Sequence, residues 1–448
     1  MPGAQSAVTD ANRSAGVREW LADRAHAIRC SVTRVPFAEL DAWGFDAGTG
    51  NLVHDSGRFF AVAGIRVEDD SGLRAAQPIL NQPEIGILGL LTRETDGVRR
   101  YLVQAKMEPG NINTLQLAPT VQATRSNYTR VHGGRKTRYL EHFRGAGRGR
   151  PVVDVLQSEQ GSWFLRKRNR NIVVEAAGDI PDHPDFRWMT RAEIDELLVL
   201  DNVVGMDIRT VLSCLPPDAG HGAPRDEFTD ALRRSHDRAA ALFGRAEVLS
   251  WFTEARSACD WRVAAVPLKD VPGWTAGPDE LAADGGGPFR VIGARVTAGS
   301  REVASWSQPL LEPLGIGMSA FLARPIGGAL HLLARARPQA GLPDLVEIGP
   351  TVQLPADGEP GRTAPFAAEA STEDPARLRF DTVLSEEGGR FFHARTRYRV
   401  IDVGADFPLD VPPDFRWVTV RQLMDLVEHK HYLNIEARTL LACVHSLR

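Results

Sequence analysis

The chain has 448 residues, 43% hydrophobic and 25% charged, an ordinary globular composition too long for one core that points to two or three domains. Its formal charge of −4 provides no global field for nucleic acid or an anionic membrane. Four cysteines without a CxxC pair argue against a disulfide frame or zinc ribbon, and no run resembles a signal h-region or a membrane span, so a reduced cytoplasmic enzyme is expected.

Residues 1–19 are read as an N-terminal extension. FFAVAGIRV from Phe59, IGILGLL from Ile85, YLVQAKM from Tyr101 and NIVVEA from Asn171 are short runs rich in β-branched and aromatic residues and predict strands. Thr190 followed by Glu193 has capping-box spacing and predicts a helix start. The next helix places Ile208, Val211, Leu212 and Leu215 on one face. PPDAGHGAPRDEF from Pro216 reads as a linker, followed by an Arg-rich helical stretch. FRVIGARV, GALHLLARAR and RFFHARTRYRVIDV then predict strands, Thr419 with Gln422 a second capping box, and Ala437, Leu440, Leu441 and Val444 a second apolar helix face. Cys214 and Cys443 sit beside these stripes and are read as core packing.

This order of elements is one unit written twice. QPILNQPEIGILGLL from Gln77 recurs as QPLLEPLGIGMSAFL from Gln308, an offset of 308 − 77 = 231 that runs without a gap to the two PTVQ segments, with 15 of 46 positions identical. DFRW recurs at Asp185 and Asp414, an offset of 229. The fold class expected is α+β, in tandem repeats that each carry a mixed sheet and C-terminal helices. The boundaries are 20–215 for repeat 1, 216–250 for linker and helix, and 251–448 for repeat 2.

Polar differences between the copies locate the chemistry. Lys106, Glu108, Asn111, Asn113 and Gln116 become Arg337, Gln339, Leu342, Asp344 and Glu347. After PTVQ, ATRSNYTR in the first copy faces LPADGEPG in the second. Repeat 1 is therefore expected to be the catalytic half, with Lys106, Glu108, Tyr128 and Tyr139 as candidate acid–base groups. Gln122, Thr124, Arg125, Ser126 and Asn127 join Asn111 and Gln116 as candidate substrate contacts. The segment Ala123 to Arg150 holds eight basic residues against Glu141 alone, which suits a diphosphate. Trp43 and Trp274 occupy equivalent positions and offer flat faces for a base; Arg335 and Arg337 are further candidate contacts in repeat 2. No metal-ligand set is expected.

QPEIGILG, QAKMEPGN, LAPTVQATRSNYTRVH and RYLEHF in the first copy resemble the NDP-hexose 2,3-dehydratase family. So do WSQPLLEP, IGPTVQ, VLSEEGGRFFHA and PPDFRW in the second, and the likeness runs from about Trp20 to Val444. The resemblance implies two Nudix-like domains, a homodimer, a dTDP-4-keto-6-deoxyglucose substrate and a place in deoxysugar and antibiotic biosynthesis. The glutamate-rich Nudix box is not found. In the second copy Glu-Pro-Gly becomes Gln339-Ala340-Gly341 and Asn-Tyr becomes Gly358-Glu359, so a second nucleotide site is not carried over to that half.

The implied hydro-lyase reaction removes the C3 proton, acidified by the C4 ketone, expels the C2 hydroxyl as water, and yields a 3,4-diketo-2,6-dideoxy sugar. It needs a base, an acid and oxyanion donors, and no cofactor is expected. No G-x-G-x-x-G strand–turn–helix is present, so reduction is left to a downstream NADPH-dependent 3-ketoreductase. The alternatives are a Nudix-type pyrophosphohydrolase and a non-catalytic nucleotide-sugar binder.

Overall fold

The computed structural model describes residues 16–128, 135–145, 148–217, 226–299, 301–355 and 364–447. Each repeat builds one seven-stranded mixed sheet, in which the predicted runs IGILGLL, YLVQAKM and NIVVEA of the first repeat take three places, while FFAVAGIRV and FRVIGARV enter smaller sheets. In the first, Arg150–Ser158, Arg168–Glu175, Gly86–Thr95, Val98–Met107 and Phe186–Thr190 lie side by side, with Leu115–Ala118 and Val121–Ala123 paired to the two central hairpin strands. The pair Arg168–Glu175 and Gly86–Thr95 is parallel and the remaining pairs are antiparallel. The second repeat reproduces this order with Leu378–Ser385, Arg395–Asp402, Ile316–Ile326, Ala329–Pro338 and Phe415–Thr419. Both capping boxes form, at Thr190/Glu193 and at Thr419/Gln422, so the α+β tandem organisation is as expected. Among the described residues no helix is long and apolar enough to cross a membrane.

The smaller sheets are not partitioned as the repeats are. Cys30–Val35 of repeat 1 pairs with Phe289–Ala298 of repeat 2, and Arg262–Val266 of repeat 2 pairs with Ala61–Asp69 of repeat 1. Each repeat thus lends its first strand to the other's small sheet. A linear reading of boundaries misses this, because an exchanged strand carries the same alternating pattern as a retained one.

The C-terminal helices complete the interlock. Met206–Ser213 packs against Ile435–His445, and Cys214 lies in the core of repeat 2 while Ala442 lies in that of repeat 1. Arg209 and Arg438, both fully buried, cross between the halves. The Arg209 Nη2 donates to Ser385 O at 2.7 Å, and Arg438 donates to Ser158 O and, at 2.8 Å, to Thr210 Oγ1. A buried guanidinium persists only where carbonyls and hydroxyls satisfy it, so these pairs fix how one half sits on the other.

Two loops dock reciprocally across this junction. The Gly110 amide donates to Gly388 O at 2.7 Å and the His393 amide to Gly110 O at 2.8 Å; in the mirror position Gly341 donates to Gly161 O at 2.7 Å and Arg166 to Gly341 O at 2.6 Å. A Cβ on Gly110 would lie 1.6 Å from Phe391 O, and one on Gly341 1.8 Å from Phe164 O. Only glycine allows either approach.

Candidate active site

The cavity that gathers Trp43, Lys106, Glu108, Gln122, Thr124 and Ser126 has a volume of about 430 Å³ and lies at the first of these junctions. Lys106 reaches it from the end of the strand Val98–Met107, and Glu108, two residues on, opens onto the same space as strand alternation requires. Gln122, on Val121–Ala123, ties the two together. Its carbonyl accepts from Lys106 Nζ at 3.3 Å, and its amide donates to Glu108 Oε1 at 2.8 Å. Lys106 Nζ is 3.5 Å from the same carboxylate oxygen. The expected pairing on one face is present.

The other predicted residues divide. Trp43, Thr124 and Ser126 line the cavity, though the hydroxyls of Thr124 and Ser126 bond each other and Ser126 donates to Glu84. Asn111 and Gln116 lie beneath, in a narrow extension that shares Lys106, Glu108, Asp207 and Glu387 with the main space. Gln116 is turned toward Ser385 Oγ at 2.6 Å. Tyr139 stands away from the cavity because its ring packs in the core and its hydroxyl donates to Pro181 O at 2.6 Å. Tyr128 is also outside the cavity wall, covered by the Arg144 guanidinium at 4.2 Å. Arg125 is exposed and does not line the cavity, and the side chain of Asn127 lies outside the described residues. Of the basic segment, Arg135 reaches the wall, and Arg130 lies outside the described residues.

Trp274, Arg335 and Arg337 are likewise absent from the cavity wall. Trp274 packs on Phe289, and Arg335 pairs with Asp414 at 2.8 Å while stacking on Phe415. Those of repeat 2 that do reach the cavity were not foreseen, among them Arg301, Glu302, Trp306, Gln308, Glu387 and Arg390. The expectation named repeat 1 alone as the catalytic half. Strand exchange and loop docking bring repeat 2 side chains into the wall, so the cavity is lined by both repeats.

Three carboxylates meet at its floor. Glu108, Asp207 and Glu387 present oxygens that all lie within 4.8 Å of one another. They are also the set of acids, among the described residues, that could hold a cation. Asp207, at the start of Met206–Ser213, is 5% exposed and its Oδ1 has no hydrogen-bond partner, nor has Glu387 Oε2. Burial, reinforced by the neighbouring Glu108 and Glu387 charges, raises the Asp207 carboxyl well above the usual range. Burial and then Glu108 raise Glu387 to about 7. Burial lowers the Lys106 ammonium, against the pull of Glu108, and lowers Lys167 to about 8. The wall carries six carboxyl groups (Asp41, Glu108, Glu159, Asp207, Glu302, Glu387) against Lys106, Arg135, Lys167, Arg301 and Arg390, and the upward shifts of Glu159, Asp207 and Glu387 act to reduce its negative charge.

A wider depression of about 620 Å³ lies between Asp154–Leu156 and the helix Arg245–Ser257. Two of its acids are paired, Asp425 with Arg421 at 2.7 Å and Asp344 with Arg256 at 3.7 Å. It gathers no such set of buried acids, and the chemistry is assigned to the smaller cavity.

A signal for the missed residues exists in the sequence. The segment Ser158 to Phe164 aligns with Ser385 to Phe391 at an offset of 385 − 158 = 227, which sets Gln160 against Glu387 and Trp163 against Arg390. There the second copy, not the first, holds the titratable residues.

The NDP-hexose 2,3-dehydratase family model matches residues 14–215 and 245–444. A dTDP-4-dehydro-6-deoxy-alpha-D-glucopyranose 2,3-dehydratase of Streptomyces violaceoruber is 50% identical over 445 residues, 97% of each chain. Enzymes of the same name from Saccharopolyspora spinosa and Amycolatopsis orientalis are 48% and 46% identical, over 96% and 97% of this chain and 90% of each relative. With both repeats matched and three relatives aligned nearly end to end, the chain belongs to the NDP-hexose 2,3-dehydratase family.

Proposed function

We propose that this protein is a hydro-lyase that removes water across C2 and C3 of dTDP-4-keto-6-deoxyglucose in deoxysugar biosynthesis. The observation that carries the reading is the cavity wall, where the carboxyl groups of Glu108, Asp207 and Glu387 gather beside the Lys106 side chain. Elimination next to a ketone requires this pairing of a base with an acid. Lys106 is suited to steady the oxyanion that develops at O4, since an ammonium held in a water-poor site acts strongly on new charge. Arg135, Lys167, Arg301 and Arg390 supply positive charge for the diphosphate. Trp43, His54, Phe59 and Phe60 form an aromatic wall fit for the base.

The product, a 3,4-diketo sugar still bearing its diphosphate, has an acidic C2 methylene and expels the nucleotide readily. A 3-ketoreductase using NADPH is the class of enzyme that would capture it, and a homodimer in the cytoplasm is the expected working form. The test is chromatography of the purified enzyme with the 4-keto-6-deoxy substrate. Substrate loss with release of free dTDP is expected, diverted to a stable nucleotide sugar when the reductase is added. Release of dTMP instead would establish a pyrophosphohydrolase.

A further inference from the structure

We propose that Glu387, supplied by repeat 2, is the acid that delivers a proton to the departing C2 hydroxyl, while Glu108, supplied by repeat 1, is the base that takes the proton from C3. The assignment rests on the dehydration reading above. Three carboxylates within 4.8 Å of one another cannot all be ionised. The donors and cations around them favour Glu108 as the charged member: Gln122 Nε2 at 2.8 Å, Lys106 Nζ at 3.5 Å and Arg301 Nη1 at 4.0 Å all address its Oε1. Glu387 Oε1 accepts from the Gly389 amide at 2.9 Å, which leaves the buried, unpartnered Oε2 as the oxygen that carries the proton. Around Glu387 stand Glu108, Asp207, Glu159 and Arg390.

The duplication supplies an independent argument. At the mirror junction the position of Glu108 is Gln339, that of Glu387 is Gln160, and that of Asp207 is Glu436. Gln339 and Gln160 are held by the same reciprocal glycine contacts, Gly341 to Gly161. An amide fills the same volume as the acid but neither takes nor gives a proton at neutral pH. The copies therefore differ in proton capacity at Glu108 and Glu387 and agree on a buried acid at the third position. That pattern assigns proton transfer to the pair, and to Asp207 a structural place behind it.

The step balances within the site. The C3–H bond breaks, its proton passes to Glu108, and its electrons form the enolate at C3–C4. The enolate then restores the C4 ketone as C2=C3 forms, and the C2–O bond breaks with the hydroxyl taking the Glu387 proton to leave as water. The resulting C3 enol loses its hydroxyl proton and gains one at C2. Glu108 and Glu387 lie close enough for the proton held by the first to be returned to the second.

The test separates the two half-steps. Substrate is incubated in D2O with Glu387→Gln or Glu108→Gln enzyme, and recovered substrate is examined for deuterium at C3 alongside the rate of dehydration. Glu387→Gln is expected to lower dehydration on the order of 10²-fold or more while deuterium still enters C3. Glu108→Gln is expected to abolish both. Loss of C3 exchange in Glu387→Gln enzyme that still binds dTDP, or dehydration at the wild-type rate, would overturn the assignment. Should Glu387→Gln fail to fold, Glu387→Asp answers the question: the shorter acid slows dehydration more than exchange, and equal slowing of both refutes the proposal. Wild-type enzyme that neither dehydrates nor exchanges would count against the dehydratase reading itself.

Discussion

Replacing Gly110 by alanine tests whether the site depends on repeat 2. The new Cβ would stand 1.6 Å from Phe391 O and 2.8 Å from Gly388 O, so the loop that carries Glu387 and Arg390 must retreat by roughly 2 Å to reach ordinary van der Waals separation. Overpacking of this kind costs about 1–3 kcal/mol, and the Gly110–Gly388 and His393–Gly110 hydrogen bonds add about 1 kcal/mol each if both are lost. The twin change, Gly341→Ala, meets Phe164 O at 1.8 Å and breaks the equivalent pair, so its cost in stability is similar. It presses on Gly161 and Phe164, the latter in the cavity wall, and makes no contact with the loop that carries Glu387. A misplacement near 1 Å in catalytic geometry costs on the order of 10²-fold, so Gly110→Ala should lose at least that in kcat while Gly341→Ala loses far less. The assay is steady-state turnover beside denaturant melts of both variants. Equal activity in two equally destabilised variants would refute a site completed by repeat 2.

Three further outcomes follow from the same geometry. Glu108→Ala or Lys106→Ala should lower kcat on the order of 10²-fold or more, whereas Gln339→Ala, the repeat 2 equivalent of the Glu108 change, should matter little; parity in turnover assays would contradict the asymmetry. Activity should survive exhaustive chelation, because Lys106 and Arg301 already stand within 4.0 Å of Glu108 and offset its charge; loss restored by Mg²⁺ or Zn²⁺ would assign the carboxylate cluster to a metal. Burial raises Glu347 from 4.5 to about 7, so its contribution to stability is complete below about 4.5 and is lost as the pH rises to about 7, up to roughly 3 kcal/mol. Thermal melts should therefore fall between about pH 4.5 and pH 7, and Glu347→Gln should flatten that slope; an unchanged slope would contradict it.

The parts of the fold visible in the sequence are those governed by local rules. Strand runs, both capping boxes and the apolar faces with Cys214 and Cys443 beside them formed where spacing placed them. The nearness of Lys106 to Glu108 was legible because positions two apart along a strand share a face. Tyr128 and Tyr139 were not separable from them, since a motif shows proximity along the chain and not direction in space. Glu387 and Arg390 arrive from more than 270 residues away on a loop docked against Gly110, which no periodicity records. Comparing the copies in both directions, instead of assuming one to be inert, would have exposed Gln160 against Glu387.

The measurement closest to the central claim is mass spectrometry of a D2O reaction with dTDP-4-keto-6-deoxyglucose, captured by an NADPH-dependent 3-ketoreductase. This account predicts a nucleotide sugar that has lost the C2 oxygen and carries solvent deuterium at C2. Unchanged substrate, or dTMP with a sugar phosphate, would contradict it.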